Sequence, residues 1–200
     1  SLQPKVNLLP IYYLIFIYGF IYILPFGKSI FGISWFDFFR KEDGLLEWVQ
    51  FLQYSFSSIA SLFIYLKCKH KKSINSLIWI VFFLTCFLIA GEEISWGERI
   101  TGMSINTISE INVQGETNFH NLPFFHNYLL DPSFVISCIF LGWIGWRKWP
   151  KLTSLPKKEL SLFFLPVALF YFYFDISWAS TVEQIRNDQE IFEALLSTGI

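Results

Sequence analysis

The chain has 200 residues, of which 54% are hydrophobic, 20% aromatic and only 16% charged, with a net charge of −1. A soluble domain carries about 25% charged residues. Here the charges cluster between long apolar runs, which excludes an ordinary soluble domain and points to an all-α, polytopic membrane bundle. The near-neutral balance gives no reason to invoke nucleic acid, and the length suits a single integral membrane domain, 1–200, with short loops. Cys68, Cys86 and Cys138 form no CxxC or paired framework, so no disulfide scaffold or zinc ribbon is expected. Cys86 and Cys138 read as small apolar packing residues.

About 20 apolar residues are needed to cross the hydrocarbon core. Five segments qualify, roughly 8–26, 48–66, 74–91, 133–149 and 160–179. The first follows Lys5. No small-residue cleavage site appears in Gly27-Lys28-Ser29-Ile30-Phe31, and the run exceeds a signal core of about 7–15 residues, so it reads as a retained helix. Before the second span comes Arg40-Lys41-Glu42-Asp43-Gly44-Leu45-Leu46-Glu47-Trp48. Acidic groups suit a helix N-terminus, which gives Glu42 and Asp43 a capping role. Glu47 leads straight into the apolar run and is a candidate binding residue.

The third span runs into Gly91-Glu92-Glu93-Ile94-Ser95-Trp96-Gly97-Glu98-Arg99. If the helix continues, Glu92, Trp96 and Arg99 share a face. Two carboxylates at a helix C-terminus oppose the macrodipole, so a partner must compensate them: Arg99, a histidine, a metal ion or protons. Segment 92–131 is long for a connection and is expected to be structured. It contains Asn112-Val113-Gln114-Gly115-Glu116-Thr117-Asn118-Phe119-His120-Asn121. The four-residue spacing of Glu116 and His120 puts both on one face of a helical turn, the geometry that presents metal ligands. A hydrogen-bonded re-entrant turn fits the same residues.

In the fourth span Gly142 and Gly145 allow close helix packing, and in the fifth Pro166 predicts a kink. Asp175 and Glu183 near the outer end of the fifth span are expected to face a polar interior. Tryptophan and tyrosine near several span ends, such as Trp48, Trp96, Tyr128 and Trp149, fit interfacial belts. From Thr181 to Leu196 the apolar spacing predicts an amphipathic helix on the membrane or capping the outer face.

Ten of the fifteen Lys and Arg lie on the side holding Lys5, Lys67–Lys72 and Arg147–Lys158. That side is read as cytoplasmic, with the N-terminus inside and the C-terminus outside. Fifteen of the sixteen Asp and Glu then fall on the other face, all but Glu159. Acidic residues contribute little to orientation, so this partition is independent of the assignment.

The Gly91–Arg99 and Asn112–Asn121 segments resemble a family of uncharacterised bacterial multi-pass membrane proteins. That family pairs a GEEISWGQR-like motif with a downstream N-x-Q-x-E-x-N-L-H-N. The Glu42-Asp43-Gly44 and Glu47 pattern is similar too, whereas Glu98 stands for Gln and Phe119 for Leu. The resemblance implies a polytopic fold in the bacterial inner membrane and no particular activity.

Two functional readings stay open. One is a hydrolase or transferase acting on a lipid or lipid-linked substrate. Glu92, Glu93, Glu116 and His120 would be its catalytic groups or ligands for a divalent metal. Arg99, Asn112, Gln114, Asn118, Asn121 and Glu47 would bind the substrate. The other is a non-enzymatic membrane subunit (a sensor, chaperone or assembly partner) whose polar cluster is a structural clasp. Membrane lipid is the expected partner, with a second protein or a homo-oligomer also open. Ion translocation ranks below both, because the span centres carry no ionisable groups.

Overall fold

In a computed structural model, residues 15, 19, 29–40, 44–71, 73–112, 115–173 and 189–200 are described. Nearly all of the first expected span, Lys41–Asp43, Gln114, Asp175 and Glu183 lie outside them. The described chain is all-α, with no strand among the described residues. The longer helices are α1 (Ile33–Arg40), α2 (Leu45–Cys68), α3 (Ile74–Glu93), α4 (Leu130–Ile139), α5 (Ser161–Tyr171) and α6 (Gln189–Gly199), with single helical turns at Glu98–Thr101 and Asn106–Ser109. Two of these, α2 and α3, are long and apolar enough to cross a membrane. Around α4 the helical path is interrupted by π-helical turns at Phe125–Leu129 and Phe140–Ile144, continuing to Lys148. Five spans are therefore not counted among the described residues.

Helix α2 starts after an extended Gly44, with Glu47 in its first turn, where a carboxylate complements the macrodipole. Helix α3 starts where the Ser73 hydroxyl accepts from Ser76 N–H at 3.3 Å, an ordinary N-cap. The two form an antiparallel hairpin, tied midway by Ser58 Oγ donating to Phe83 O at 3.2 Å. Along α2 several polar side chains turn inward and large apolar ones outward. Gln50, Ser58 and Ser61 are buried, whereas Leu52, Phe56 and Phe63 are exposed. Water-soluble helices show the opposite pattern.

A second hairpin joins α4 to α5. Val135, Cys138 and Leu141 pack on Phe163, Phe164 and Val167, and Phe134 stacks on Tyr171 with centroids 4.6 Å apart. Close approach depends on Gly142, since a Cβ there would lie 3.0 Å from Phe164 Cβ. Cys86 and Cys138 are buried in apolar surroundings, as their sequence context implies. Helix α5 runs through Pro166 as far as Tyr171.

Helix α6 differs from expectation. It overlaps the expected segment and runs on to Gly199, but it does not lie across an outer face. It is wedged into the bundle, with Ile191, Leu195 and Leu196 buried. The α2 residues Gln50 and Gln53 meet Glu190 and Thr198 in the same chain direction. The α5 contacts run the other way, Tyr171 meeting Glu193 and Phe163 meeting Gly199. The apolar stripe that signals an amphipathic helix is thus covered by protein. Both basic loops come to one end of the bundle, where Asn75 Oδ1 accepts from Ser154 Oγ at 2.8 Å. The acidic segments share the opposite end.

Candidate functional site

At the acidic end, α3 stops at Glu93 and the chain reverses through Ser95, Trp96 and Gly97. All three adopt left-handed backbone, with φ of 46°, 53° and 95°. A bulky residue such as Trp96 rarely accepts that conformation, at a cost of order 1–3 kcal/mol. The reversal lays the Trp96 ring against Gly91, where a Cβ would come within 3.0 Å of three ring atoms. The continuing helix expected through Arg99 is therefore absent. Trp96 still meets Glu92, donating Nε1–H to its carboxylate, but through the turn rather than helical periodicity.

The Glu92 carboxylate is filled from the 112–121 segment. Its Oε2 accepts Phe119 N–H at 2.6 Å and His120 N–H at 2.8 Å, and lies 3.1 Å from His120 Nδ1. Backbone donors thus compensate a carboxylate placed at the unfavourable end of a helix dipole. Glu116 turns elsewhere. Its Oε2 accepts from Ser95 Oγ and Asn118 Nδ2, each at 2.7 Å, and faces Arg99 Nη2 at 3.4 Å. Arg99 also donates to Glu47 at the head of α2. One guanidinium thereby joins α2 to the 112–121 segment just beyond α3. Arg99 and Glu47 are mostly buried, with side chains 15% and 9% exposed.

The segment is ordered by its own amides as well. Asn112 Nδ2 donates to Asn118 O and Oδ1, both at 2.8 Å. Glu98 Oε2 accepts Thr117 N–H at 2.7 Å, and Thr117 Oγ1 accepts Ile105 N–H at 2.8 Å. Asn118 and Asn121 are buried. Residues 115–121 form bends and a turn, beginning with Gly115 at φ 76°, so the helical turn expected to pair Glu116 with His120 does not form.

Of the four expected metal ligands, Glu92 and His120 are brought together and Glu116 is directed to Ser95, Asn118 and Arg99. Glu93 joins neither set of contacts, and the charged groups near it include Glu193, Glu47 and Arg99. Among the described residues no group of three or more His, Cys, Asp or Glu is arranged to hold a metal ion. Of the expected substrate-binding residues, Arg99, Glu47, Asn112 and Asn118 join the network, Asn121 is buried in the same segment, and Gln114 lies outside the described residues.

Three participants escape sequence reasoning. Ser95 looks like a spacer in the motif, and Thr117 a filler between Glu116 and Asn118. Glu98 registers only as a departure from Gln, although either side chain presents an oxygen able to accept the Thr117 N–H. A second polar seam is also new. Gln50 Nε2 donates to Glu190 Oε2 at 2.9 Å, Gln53 Nε2 to Thr198 Oγ1 at 2.9 Å, and Tyr171 OH to Glu193. It lines α6 with polar contacts and belongs to helix packing.

Compared with protein-family models, curated proteins and solved structures, the chain matches none.

Proposed function

We propose that the chain is a five-span inner-membrane protein, N-terminus cytoplasmic, whose extracytoplasmic polar cluster is a structural clasp in a non-enzymatic subunit. The observation that carries this is the engagement of the carboxylates by protein donors. Glu92 receives Trp96, His120 and two backbone N–H groups, and Glu116 receives Ser95, Asn118 and Arg99. An ionised carboxylate offers about four lone-pair positions. On Glu92 these are taken by four donors from Trp96, Phe119 and His120, which fasten the 115–121 turn to the end of α3, and Arg99 bridges Glu116 to Glu47 on α2. The five-span reading draws its support from the apolar segments, from the shared end of the basic loops, and from the resemblance of the two motifs to bacterial multi-pass proteins.

One observation favours a second reading, a hydrolase or transferase on a lipid-linked substrate. His120 Nδ1 faces Glu92 while the side chain stays 33% exposed. With Nδ1–H donating to Glu92, Nε2 carries the lone pair and can act as a general base or metal ligand.

The two readings part in one experiment on Glu92→Gln and His120→Ala in detergent. The clasp predicts a lowered melting temperature in both variants, and no stoichiometric divalent metal in the purified parent. Parent protein that holds one metal per chain, with both variants losing it at an unchanged melting temperature, would establish the second reading instead.

A further inference from the structure

The connection after Arg99 is built inside out. Among the described residues its buried side chains are polar (Asn112, Thr117, Asn118 and Asn121), while Ile100, Met103 and Ile111 are 62%, 72% and 61% exposed, beside exposed Thr101, Ser104, Asn106, Thr107 and Glu110. Between Ile100 and Tyr128 there is no Lys or Arg, and only two carboxylates, Glu110 and Glu116. Glu116 is occupied within the clasp. A loop in water buries apolar groups and exposes polar ones. Inversion suits a medium that offers no hydrogen bonds, where irregular backbone survives only if its polar groups are satisfied by protein.

The apolar side is also continuous with the outward face of α3. Phe87 on α3 meets Trp96 edge-on at 6.2 Å, and Trp96 meets Phe119 at 6.2 Å. All three rings are exposed. An aromatic strip therefore leads from the span to the loop without a polar break. Trp96 and Tyr128 are residue types that settle at headgroup level.

We infer that the described part of Ile100–Tyr128 lies in the interfacial layer of the bilayer, its apolar side chains against lipid, its buried polar ones closed on the clasp and its exposed polar ones, Glu110 among them, at headgroup level facing water. This rests on the membrane reading above and adds the partner of the loop, the headgroup–acyl boundary of the adjacent leaflet. Interfacial segments of this kind sink about 5–10 Å into that boundary. The clasp then works as a pin that holds a lipid-covered flap against α2 and α3.

The test uses spin labels at Met103→Cys and Ile111→Cys in a Cys68→Ser background, Cys86 and Cys138 being buried. The protein is reconstituted in phosphatidylethanolamine–phosphatidylglycerol vesicles, with Phe63→Cys as reference on the outward face of α2 and His70→Cys in the basic loop. Relaxation by oxygen and by a water-soluble nickel complex is measured at each site. The inference predicts that Met103 and Ile111 labels follow Phe63, open to oxygen and shielded from nickel. Labels that follow His70 place the loop in water, and labels shielded from both reagents place it under protein; either result overturns the inference. If the Phe63 label itself follows His70, the membrane reading fails with it.

Discussion

Arg99 donates to Glu47 and Glu116, carboxylates from segments 52 and 17 residues away. Removing one member of a mostly buried charge group costs more than the group contributes, about 3–5 kcal/mol, because the remaining charges lose compensation. Arg99→Met is therefore expected to lower unfolding stability by about that amount, read from denaturant or thermal unfolding in detergent. A change under about 1 kcal/mol would remove Arg99 from the clasp. Glu98 gives the opposite forecast. Its oxygen accepts one backbone N–H from Thr117, which an amide oxygen also does, so Glu98→Gln is expected to stay within about 1 kcal/mol of the parent. Glu98→Ala is expected to lose about 1–3 kcal/mol by orphaning that donor.

The same residues show how far sequence spacing reaches. Glu92, Arg99, Glu116 and His120 are recognisable from where they stand, since charges beside apolar runs need partners. Which pairs form is hidden. It depends on a left-handed turn through Ser95 and Trp96 that no residue preference announces. It depends also on a bend after Gly115 that separates Glu116 from His120 despite their four-residue spacing.

At the level of elements, the apolar runs that became α2 and α3 are legible because composition and length alone specify them. Helix α6 is half legible. Its periodicity gives a helix, but nothing local says whether lipid, water or protein covers the stripe, and here α2 and α5 do. Gly142 is the element-scale test of packing. Gly142→Leu inserts a branched side chain where even a Cβ meets Phe164 at 3.0 Å. Overpacking of this sort costs about 1–3 kcal/mol, and the expected result is a lower melting temperature with helical circular dichroism retained. An unchanged melting temperature would show that α4 and α5 are not in close contact at that point. Gln53→Leu probes the α2–α6 seam, where Gln53 pairs with Thr198 at 2.9 Å and with Ser197. Side-chain hydrogen bonds between membrane helices contribute about 0.6–2 kcal/mol, so a loss of that size is expected in the same unfolding assay.

For the molecule as a whole, the account stands on sidedness. Basic loops meet at one end through Asn75 and Ser154, and the carboxylates of three separate segments gather at the other. Helix α2 turns Gln50, Ser58 and Ser61 inward and Phe56 and Phe63 outward, which suits a hydrocarbon surround and gives the polar clasp a protected interior to close upon. The clasp, the inverted loop and the buried α6 are then parts of one arrangement, in which polar contacts satisfied inside the protein replace those that water would make.

The most direct measurement of that claim is cysteine accessibility in sealed inner-membrane vesicles of known orientation. His70→Cys and Glu110→Cys are each made in a Cys68→Ser background and treated with a membrane-impermeant maleimide before and after permeabilisation. The account predicts that Glu110→Cys labels from the periplasmic face alone and His70→Cys from the cytoplasmic face alone. Labelling of both positions from the same face would contradict it.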